Sequence, residues 1–184
     1  MRLTKARVEP LPEAEWTPEI REMLPRGVGN GRILAIFTTL ARHSKLLKRW
    51  LVFGNHVLFK STLGAREREL AILRTGWLCR SEYEWGQHAV IGRGVGLSDE
   101  EIRRVTLGPD APGWSALEAL VLRATDELHH DSMISDATWS ALSLHYGVEQ
   151  LMDLIFAVGQ YTLVSMALNS LGVQLDQGIE GFPP

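Results

Sequence analysis

The chain has 184 residues, of which 45% are hydrophobic and 22% are charged, and its formal net charge is −3. This length is enough for one domain with a substantial core, while the slightly acidic balance excludes the basic footprint of a nucleic-acid-binding domain. The single cysteine, Cys79, excludes an intrachain disulfide and a cysteine-based metal cluster.

The spacing of apolar residues predicts an all-α chain, because helical periodicity recurs throughout and no stretch has convincing strand alternation. Residues 1–29 are predicted to form an N-terminal extension with a short helix capped by Thr17. Asn30 is expected to cap a helix that reaches Arg42. Further helices are expected at about 44–60, 66–79, 82–93, 98–105, 114–130, 135–145 and 149–171. One helical domain therefore covers residues 30–176, and residues 177–184 form an irregular tail.

Two of these helices have clear sequence signals at their N-termini. Ser98 is followed three residues later by Glu101, which is a capping box, and Ser135 caps the helix that follows it. A serine hydroxyl at this position accepts a hydrogen bond from an otherwise unpaired backbone N–H. The starts of these two helices are therefore predicted more sharply than their ends.

The most apolar segment runs from residue 151 to residue 173 and is long enough to span a bilayer. Asp153, Gln160 and Asn169 interrupt it, and charged or amide groups at membrane depth are costly. We therefore expect a buried helix of a soluble protein that binds no membrane. The first residues lack the apolar core of a signal peptide, and a lone cysteine fits a reducing cytosol, so a cytoplasmic location is expected.

Residues 66–93 gather more proton-handling side chains than any other part of the chain. Ser81, Glu84 and His88 are spaced at i, i+3 and i+7, which places them on one face of a helix. Glu69 lies on the preceding helix and reaches this face only if the two helices fold back on each other. A carboxylate beside an imidazole is suited to general acid/base catalysis, because it orients the ring and raises its pKa.

Structural interpretations of the same residues stay open. Ser81 and Glu84 match the S-x-x-E capping box, which by itself explains both residues. His88 is also compatible with a satisfied core histidine. Glu69 is compatible with an ion pair to a nearby arginine, Arg66 or Arg74.

Polar residues elsewhere give weaker signals. His129 and His130 follow two acidic residues, but adjacent side chains on a helix point about 100° apart, so no metal site is predicted. Gln160 and Asn169 lie near one face of the last helix. Each is expected either to line a pocket or to form an interhelical or intersubunit hydrogen bond.

The pattern E-(x)11-S-x-Y-E-x-x-x-H resembles the signature of the carboxymuconolactone decarboxylase family, which includes the AhpD-like alkylhydroperoxidases. The resemblance extends over roughly residues 30–176, and it places Glu69 and His88 on the glutamate and histidine of the family. In the peroxidase branch the motif is E-(x)11-C-x-Y-C-x-x-x-H, so its two cysteines fall on Ser81 and Glu84. The chain is thus similar to a subgroup that lacks the cysteine pair.

The resemblance implies an AhpD-like helical fold of about seven or eight helices in a homo-oligomer, a trimer or a hexamer. The apolar helices at 44–60 and 149–171 are the segments expected at the subunit contacts. It also implies a cofactor-free, proton-transfer chemistry, because serine and glutamate cannot replace a redox-active dithiol. Dithiol peroxidase activity is therefore not expected.

These observations predict a cofactor-free lyase-like enzyme that acts on a small organic acid or lactone. His88 is expected to be the general acid/base and Glu69 its orienting carboxylate. Glu84 is expected to carry a second proton, and Ser81 to donate a hydrogen bond to substrate or merely to cap its helix. Substrate contacts are predicted for Tyr83, Trp85 and Gln160.

Two alternatives remain at this stage. One is a peroxidase or other antioxidant protein that uses Cys79, although this thiol has no resolving partner. The other is a non-catalytic oligomeric binding protein on the same scaffold, which predicts a closed, packed core around Ser81, Glu84 and His88.

Overall fold

The computed structural model describes residues 1–25 and 33–183. Within these ranges the chain forms nine α-helices, two short 3-10 helices and no strand, which confirms the all-α prediction. The 3-10 helices are Glu13–Glu15 and Ala41–His43. The α-helices are α1 (Pro18–Met23), α2 (Ala35–Leu40), α3 (Ser44–Phe59), α4 (Ala65–Leu78), α5 (Glu82–Gly94), α6 (Asp99–Val105), α7 (Ala116–Asp131), α8 (Asp136–Leu142) and α9 (Val148–Leu171).

Helix α4 lies at the centre of the fold, where it packs against α5, α7 and α9. Every residue from 69 to 76 is buried, so the helix has no solvent-facing side over two turns. A helix surrounded in this way is normally apolar all round. Glu69 and Arg74 are the charged exceptions, and each therefore needs a partner inside the protein.

The helix starts follow the predicted caps. The side chains of Thr17, Ser98 and Ser135 each accept a backbone N–H of their helix, and the capping box of Ser98 and Glu101 is complete. Ser115 forms a second capping box with Glu118 at the start of α7.

The largest differences from the sequence prediction concern helix bounds. The predicted cap Asn30 lies outside the described residues, and the helix that follows begins at Ala35 and tightens into a 3-10 turn at Ala41. Helix α8 ends at Leu142 rather than His145, because residues 144–146 form turns on the carbonyls of Ala141 and Leu142.

Arg66, in the first turn of α4, joins both capping boxes. Its guanidinium binds Glu118 of α7 at 2.8 Å and also pairs with Glu101 of α6. The neighbouring carboxylates raise the pKa of Arg66, and the pKa of Glu101 falls to about 2. The start of α4 is thereby held to the starts of α6 and α7, which leaves Glu69 one turn further along.

The irregular segment after α9 packs along α5. The carboxylate of Asp176 accepts hydrogen bonds from the Tyr83 hydroxyl (2.5 Å), the Gln87 amide (2.8 Å) and the backbone N–H of Ala35 (3.1 Å). Gly86 permits this approach, because a Cβ there would lie 2.4 Å from the carbonyl oxygen of Glu180. Phe182 of the same segment packs against Trp85 of α5 and Trp77 of α4.

Helix α9 is long and apolar enough to cross a membrane by length and composition alone, and half of its most apolar window is buried within the fold. Its outer side carries five large apolar side chains that are more than half exposed. On the adjacent α3, three more are exposed. We call these residues the α3–α9 apolar face: Leu46, Val52, Phe59, Val148, Met152, Phe156, Leu163 and Met166.

Candidate active site

The chain reverses between α4 and α5 within three residues. Arg80 adopts a left-handed conformation with φ 51°, and the N–H of Ser81 bonds to the carbonyl of Gly76. This turn folds α5 back along α4. Glu69 can reach the helix face that carries Ser81, Glu84 and His88 only in this arrangement.

The reversal brings one imidazole between two carboxylates. Nδ1 of His88 lies 2.6 Å from Oε2 of Glu69, and Nε2 of His88 lies 3.1 Å from Oε1 of Glu84. The exposed fractions of Glu69, Glu84 and His88 are 0%, 4% and 5%. We call these three residues the carboxylate–imidazole triad, and they form a buried hydrogen-bonded chain across α4 and α5.

The two carboxylates determine the charge of His88. Burial disfavours the imidazolium, but the charges and hydrogen bonds of Glu69 and Glu84 outweigh burial and raise the pKa of His88 to about 10. At neutral pH both ring nitrogens therefore carry a proton and donate to a carboxylate.

Ser81 occupies the N-cap position of α5 without capping it. Its hydroxyl is fully buried and has no hydrogen-bond partner among the described residues. Glu84 likewise binds His88 instead of closing a capping box. The capping-box interpretation of Ser81 and Glu84 is therefore wrong. An unpaired buried hydroxyl is unfavourable, so Ser81 remains available for a hydrogen bond with a ligand.

Two side chains around His88 were not among the predicted site residues. The ring of Tyr161 on α9 packs edge-on against the imidazole, with centroids 4.7 Å apart and an interplanar angle of 82°. Arg68 places its Nε 3.4 Å from Oε1 of Glu69. The available signals were a tyrosine within a mostly apolar helix and an arginine next to Glu69. Neither signal predicts the contact with the triad, because that contact depends on how the helices pack.

The predicted substrate contacts of Tyr83, Trp85 and Gln160 remain predictions, and the structure places these side chains differently. The Tyr83 hydroxyl is occupied by Asp176, and the Trp85 ring packs against Trp77 and Phe182. Gln160 is 3% exposed, and neither polar atom of its amide has a partner among the described residues. Gln160 therefore keeps the hydrogen-bonding capacity of its amide free.

The remaining candidates have ordinary structural partners. Asn169 donates a hydrogen bond to the carbonyl of Cys79 at 3.0 Å. An interhelical hydrogen bond was one of the two roles predicted for Asn169. His130 lies 2.8 Å from the carbonyl of Asp126 through Nδ1. Within residues 1–25 and 33–183, no three histidine, cysteine or acidic side chains are gathered in a way that could hold a metal ion.

Cys79 lies at the end of α4, with its Sγ 3.8 Å from Nδ1 of His129. Burial raises the pKa of the Cys79 thiol, and the nearby Glu84 raises it further. A thiol in this environment is mostly protonated at neutral pH and hence weakly nucleophilic.

The carboxylate–imidazole triad is closed in the single chain. A cavity of about 590 Å³ is lined by residues of α3, among them Val52, His56 and Phe59, and a cavity of about 10 Å³ lies beside the first residues. Neither cavity is lined by a triad residue. Among the described residues the triad is therefore almost wholly shielded from solvent, with no member more than 5% exposed.

Part of the chain matches a known protein family. Residues 44–127, which contain the whole triad, match the carboxymuconolactone decarboxylase family. The chain is thus similar to this family over its central region. The match confirms the family resemblance of the E-(x)11-S-x-Y-E-x-x-x-H motif. No curated protein matches the chain.

Several solved structures share the fold of this chain. An uncharacterized peroxidase-related protein from Ralstonia eutropha JMP134 with an AhpD core is 19% identical, with a TM-score of 0.83 over 92% of each chain. A putative antioxidant defence protein AhpD from Agrobacterium tumefaciens is 18% identical, with a TM-score of 0.69 over 74% of this chain and 94% of the other. The debrominase Bmp8, as a cysteine-to-alanine variant in complex with 2,3,4-tribromopyrrole, is 10% identical, with a TM-score of 0.79 over 95% and 94%. At these identities the likeness is one of fold.

Proposed function

We propose that the chain is a cofactor-free acid/base enzyme of the carboxymuconolactone decarboxylase type that acts on a small organic acid or lactone. The observation that carries the proposal is the buried imidazole of His88 with a carboxylate on each ring nitrogen, Glu69 at 2.6 Å and Glu84 at 3.1 Å. Buried charges destabilise a fold unless they are paired, and perturbed ionisable groups cluster at functional sites.

The two carboxylates have different roles in this mechanism. Glu69 is fully buried and orients the imidazole through Nδ1. Since Nε2 of His88 is directed at Glu84, a proton passes between His88 and substrate through the Glu84 carboxyl group. Glu84 is then the group that takes a proton from a carbon next to a carbonyl, and His88 supplies the proton that Glu84 returns.

The free hydroxyl of Ser81 supports a ligand-binding role at the same helix start. Ser81 precedes Glu84 by one helical turn, and its buried oxygen has no partner among the described residues. The fold itself also accommodates small ring molecules, since the debrominase with this fold holds a tribromopyrrole. Both observations favour a compact cyclic substrate such as a lactone.

Hydrogen exchange tests the proposal directly. Small lactones and organic acids are incubated with the protein in D2O, and proton NMR follows exchange next to the carbonyl, isomerisation and loss of CO2. We expect catalysed exchange that falls at least about 100-fold in His88→Ala and Glu69→Gln, the usual contribution of a general acid/base. Glu100→Gln is the matched control, because its side chain is 76% exposed. Turnover by His88→Ala at the wild-type rate would contradict the proposal.

The closed state of the triad favours a second candidate, a non-catalytic oligomeric binding protein on the same scaffold. Its distinguishing feature is that Glu69, Glu84 and His88 remain inaccessible in solution. The imidazole NMR signals of His88 separate the two candidates. A scaffold leaves these signals unchanged at millimolar lactone, whereas an enzyme shifts them.

We further propose that the chain is a cytoplasmic homo-oligomer, a trimer or a hexamer, which binds its small-molecule substrate and neither nucleic acid nor membrane. The α3–α9 apolar face supports self-association, because Phe156 and Leu163 are 52% and 57% exposed and α9 has no charged residue between Asp153 and its end at Leu171. Exposed apolar faces of this extent are typical of subunit contacts.

A further inference from the structure

The geometry of the triad depends on how α5 lies against α4. Glu84 and His88 are on α5, whereas Glu69 is on α4, and Nδ1 of His88 lies 2.6 Å from Oε2 of Glu69. A hydrogen bond weakens steeply once its distance and angle leave the preferred range. In an active site, a misplacement of about 1 Å can lower the rate about 100-fold. The position of α5 along and around its axis therefore has to be fixed by contacts outside the triad as well.

Asp176 holds α5 from a second side. Its Oδ2 accepts a hydrogen bond from the Tyr83 hydroxyl at 2.5 Å and another from the Gln87 amide at 2.8 Å. These two residues are four positions apart, so they lie on one face of the helix. Each directly precedes a triad residue, Glu84 or His88. Because adjacent residues on a helix point about 100° apart, Asp176 and α4 hold α5 on two different faces.

The carboxylate of Asp176 is itself tied to the backbone. Its Oδ1 accepts the N–H of Ala35 at 3.1 Å, and the Tyr83 hydroxyl accepts the N–H of Ile36 at 3.2 Å. The Tyr83 side chain is also 3% exposed. The start of α2, the first turns of α5 and the segment after α9 therefore meet at one carboxylate.

We propose that Asp176 is a positioning residue, which sets the two hydrogen bonds of His88 by holding α5 through Tyr83 and Gln87. The expected effect on turnover rests on the proposed acid/base function, whereas the effect on the His88 hydrogen bonds needs no substrate. Among the described residues, the hydrogen bonds of Asp176 go to α2 and α5 and none goes to a triad residue. Asp176 therefore acts through the helix.

An NMR titration of the His88 imidazole tests this role. In the wild type the two carboxylates raise the pKa of His88 from 6.5 to about 10. We expect Asp176→Ala to lower the measured pKa by roughly one unit or more, because a displaced α5 weakens the hydrogen bonds that favour the imidazolium. The groups that face His88 stay in place in this variant, namely Glu69 of α4, Glu84 of α5 and Tyr161 of α9.

Variants of the two α5 residues test the route. Tyr83→Phe and Gln87→Met each remove one of the two hydrogen bonds to Asp176, so each should lower the pKa of His88 by less than Asp176→Ala. In the Tyr83→Phe/Gln87→Met double variant the route is lost. Adding Asp176→Ala to this double variant should then cause little further shift, since residues that act as a unit are not additive.

Glu127→Ala is the matched control for damage to the fold. The Glu127 carboxylate also accepts three hydrogen bonds, from the Ser135 N–H, the Ser135 hydroxyl and the Thr138 hydroxyl, and it joins α7 to the start of α8. Helix α5 packs mainly against α4, α9 and α6. Glu127→Ala should therefore destabilise the protein but leave the pKa of His88 unchanged.

The outcomes separate positioning from general stability. An unchanged pKa of His88 in folded Asp176→Ala, or an equal shift in Glu127→Ala, overturns the role of Asp176. If Asp176→Ala does not fold, Asp176→Asn and the Tyr83→Phe/Gln87→Met double variant decide by the same titration. Asp176→Asn keeps one acceptor oxygen, so a smaller shift is expected, and an unchanged pKa in both variants overturns the inference.

The titration also distinguishes this inference from the proposed function. A shift that follows Asp176, Tyr83 and Gln87 but not Glu127 supports the positioning role, even if the wild type exchanges no hydrogen and the acid/base proposal fails. In an active enzyme, Asp176→Asn should lower kcat with little change in KM. Wild-type kcat in a variant with a shifted pKa of His88 would contradict the acid/base proposal and leave the positioning role supported.

Discussion

Nδ1 of His88 lies 2.6 Å from Oε2 of Glu69, which joins two helices through a buried ionic hydrogen bond between residues 19 positions apart. Glu69→Gln keeps an acceptor of the same shape but removes the charge. We expect it to lower the free energy of unfolding by about 1.5–3 kcal/mol, the usual range for a hydrogen bond to a charged group. Urea denaturation at neutral pH measures this loss. An unchanged free energy of unfolding would contradict the charged pair.

The same pair makes stability depend on pH. The pKa of His88 rises from its ordinary 6.5 to about 10 on folding, so the folded protein binds this proton more tightly. The resulting stabilisation is complete below pH 6.5 and decreases as the pH rises towards 10. We therefore expect the difference in unfolding free energy between wild type and Glu69→Gln to shrink between pH 7 and pH 10. Other titrating groups cancel in this difference.

Gly86 is predicted to be essential for the docking of residues 173–183. A Cβ at this position would lie 2.4 Å from the Glu180 carbonyl oxygen and 2.5 Å from the Ile179 side chain, and backbone cannot move aside cheaply. We expect Gly86→Ala to destabilise the protein by about 1–3 kcal/mol.

Gly94→Ala on the same helix is the matched control for Gly86→Ala. Among the described residues, no atom outside the adjacent residues and backbone of α5 lies within 4 Å of a Cβ built at Gly94, so alanine should be neutral or stabilise the helix by up to about 1 kcal/mol. Thermal unfolding compares the two variants. Equal melting temperatures would contradict the close approach at Gly86.

Cys79 is predicted to be dispensable for any peroxide consumption by the protein. Burial raises its pKa, and Ser81 and Glu84 provide no resolving thiol. We expect Cys79→Ser to leave the rate of peroxide loss unchanged in the presence of a thiol reductant. A rate that falls to the buffer background in this variant would instead support the antioxidant alternative.

Leu163 is predicted to lie at a subunit contact. It is 57% exposed on the α3–α9 apolar face, and a buried glutamate there would be strongly unfavourable. We expect Leu163→Glu to shift the protein to smaller species in size-exclusion chromatography with light scattering. Leu107→Glu is the control, because Leu107 is 73% exposed outside this face. The same assembly in both variants and the wild type would contradict the contact.

Much of the fold could be predicted from local signals. The caps at Thr17, Ser98 and Ser135 were predicted because a hydroxyl and a backbone N–H within three residues satisfy each other. The same logic was wrong at Ser81 and Glu84, although their spacing is identical. There the carboxylate of Glu84 binds the imidazole of His88. This charge-assisted hydrogen bond is stronger than one from a backbone N–H.

The sequence by itself determined the all-α class and most helix starts. It also predicted that one stretch of the chain holds the candidate site residues Glu69, Ser81, Glu84 and His88. These predictions follow from periodicity and short-range spacing. Only the tertiary structure decided that both nitrogens of His88 are bound, that the triad is closed, and that Tyr161 and Arg68 adjoin it. These relationships depend on how α4, α5 and α9 pack. Local sequence does not encode that packing, since residues 69, 88 and 161 meet only after the helices between them have folded.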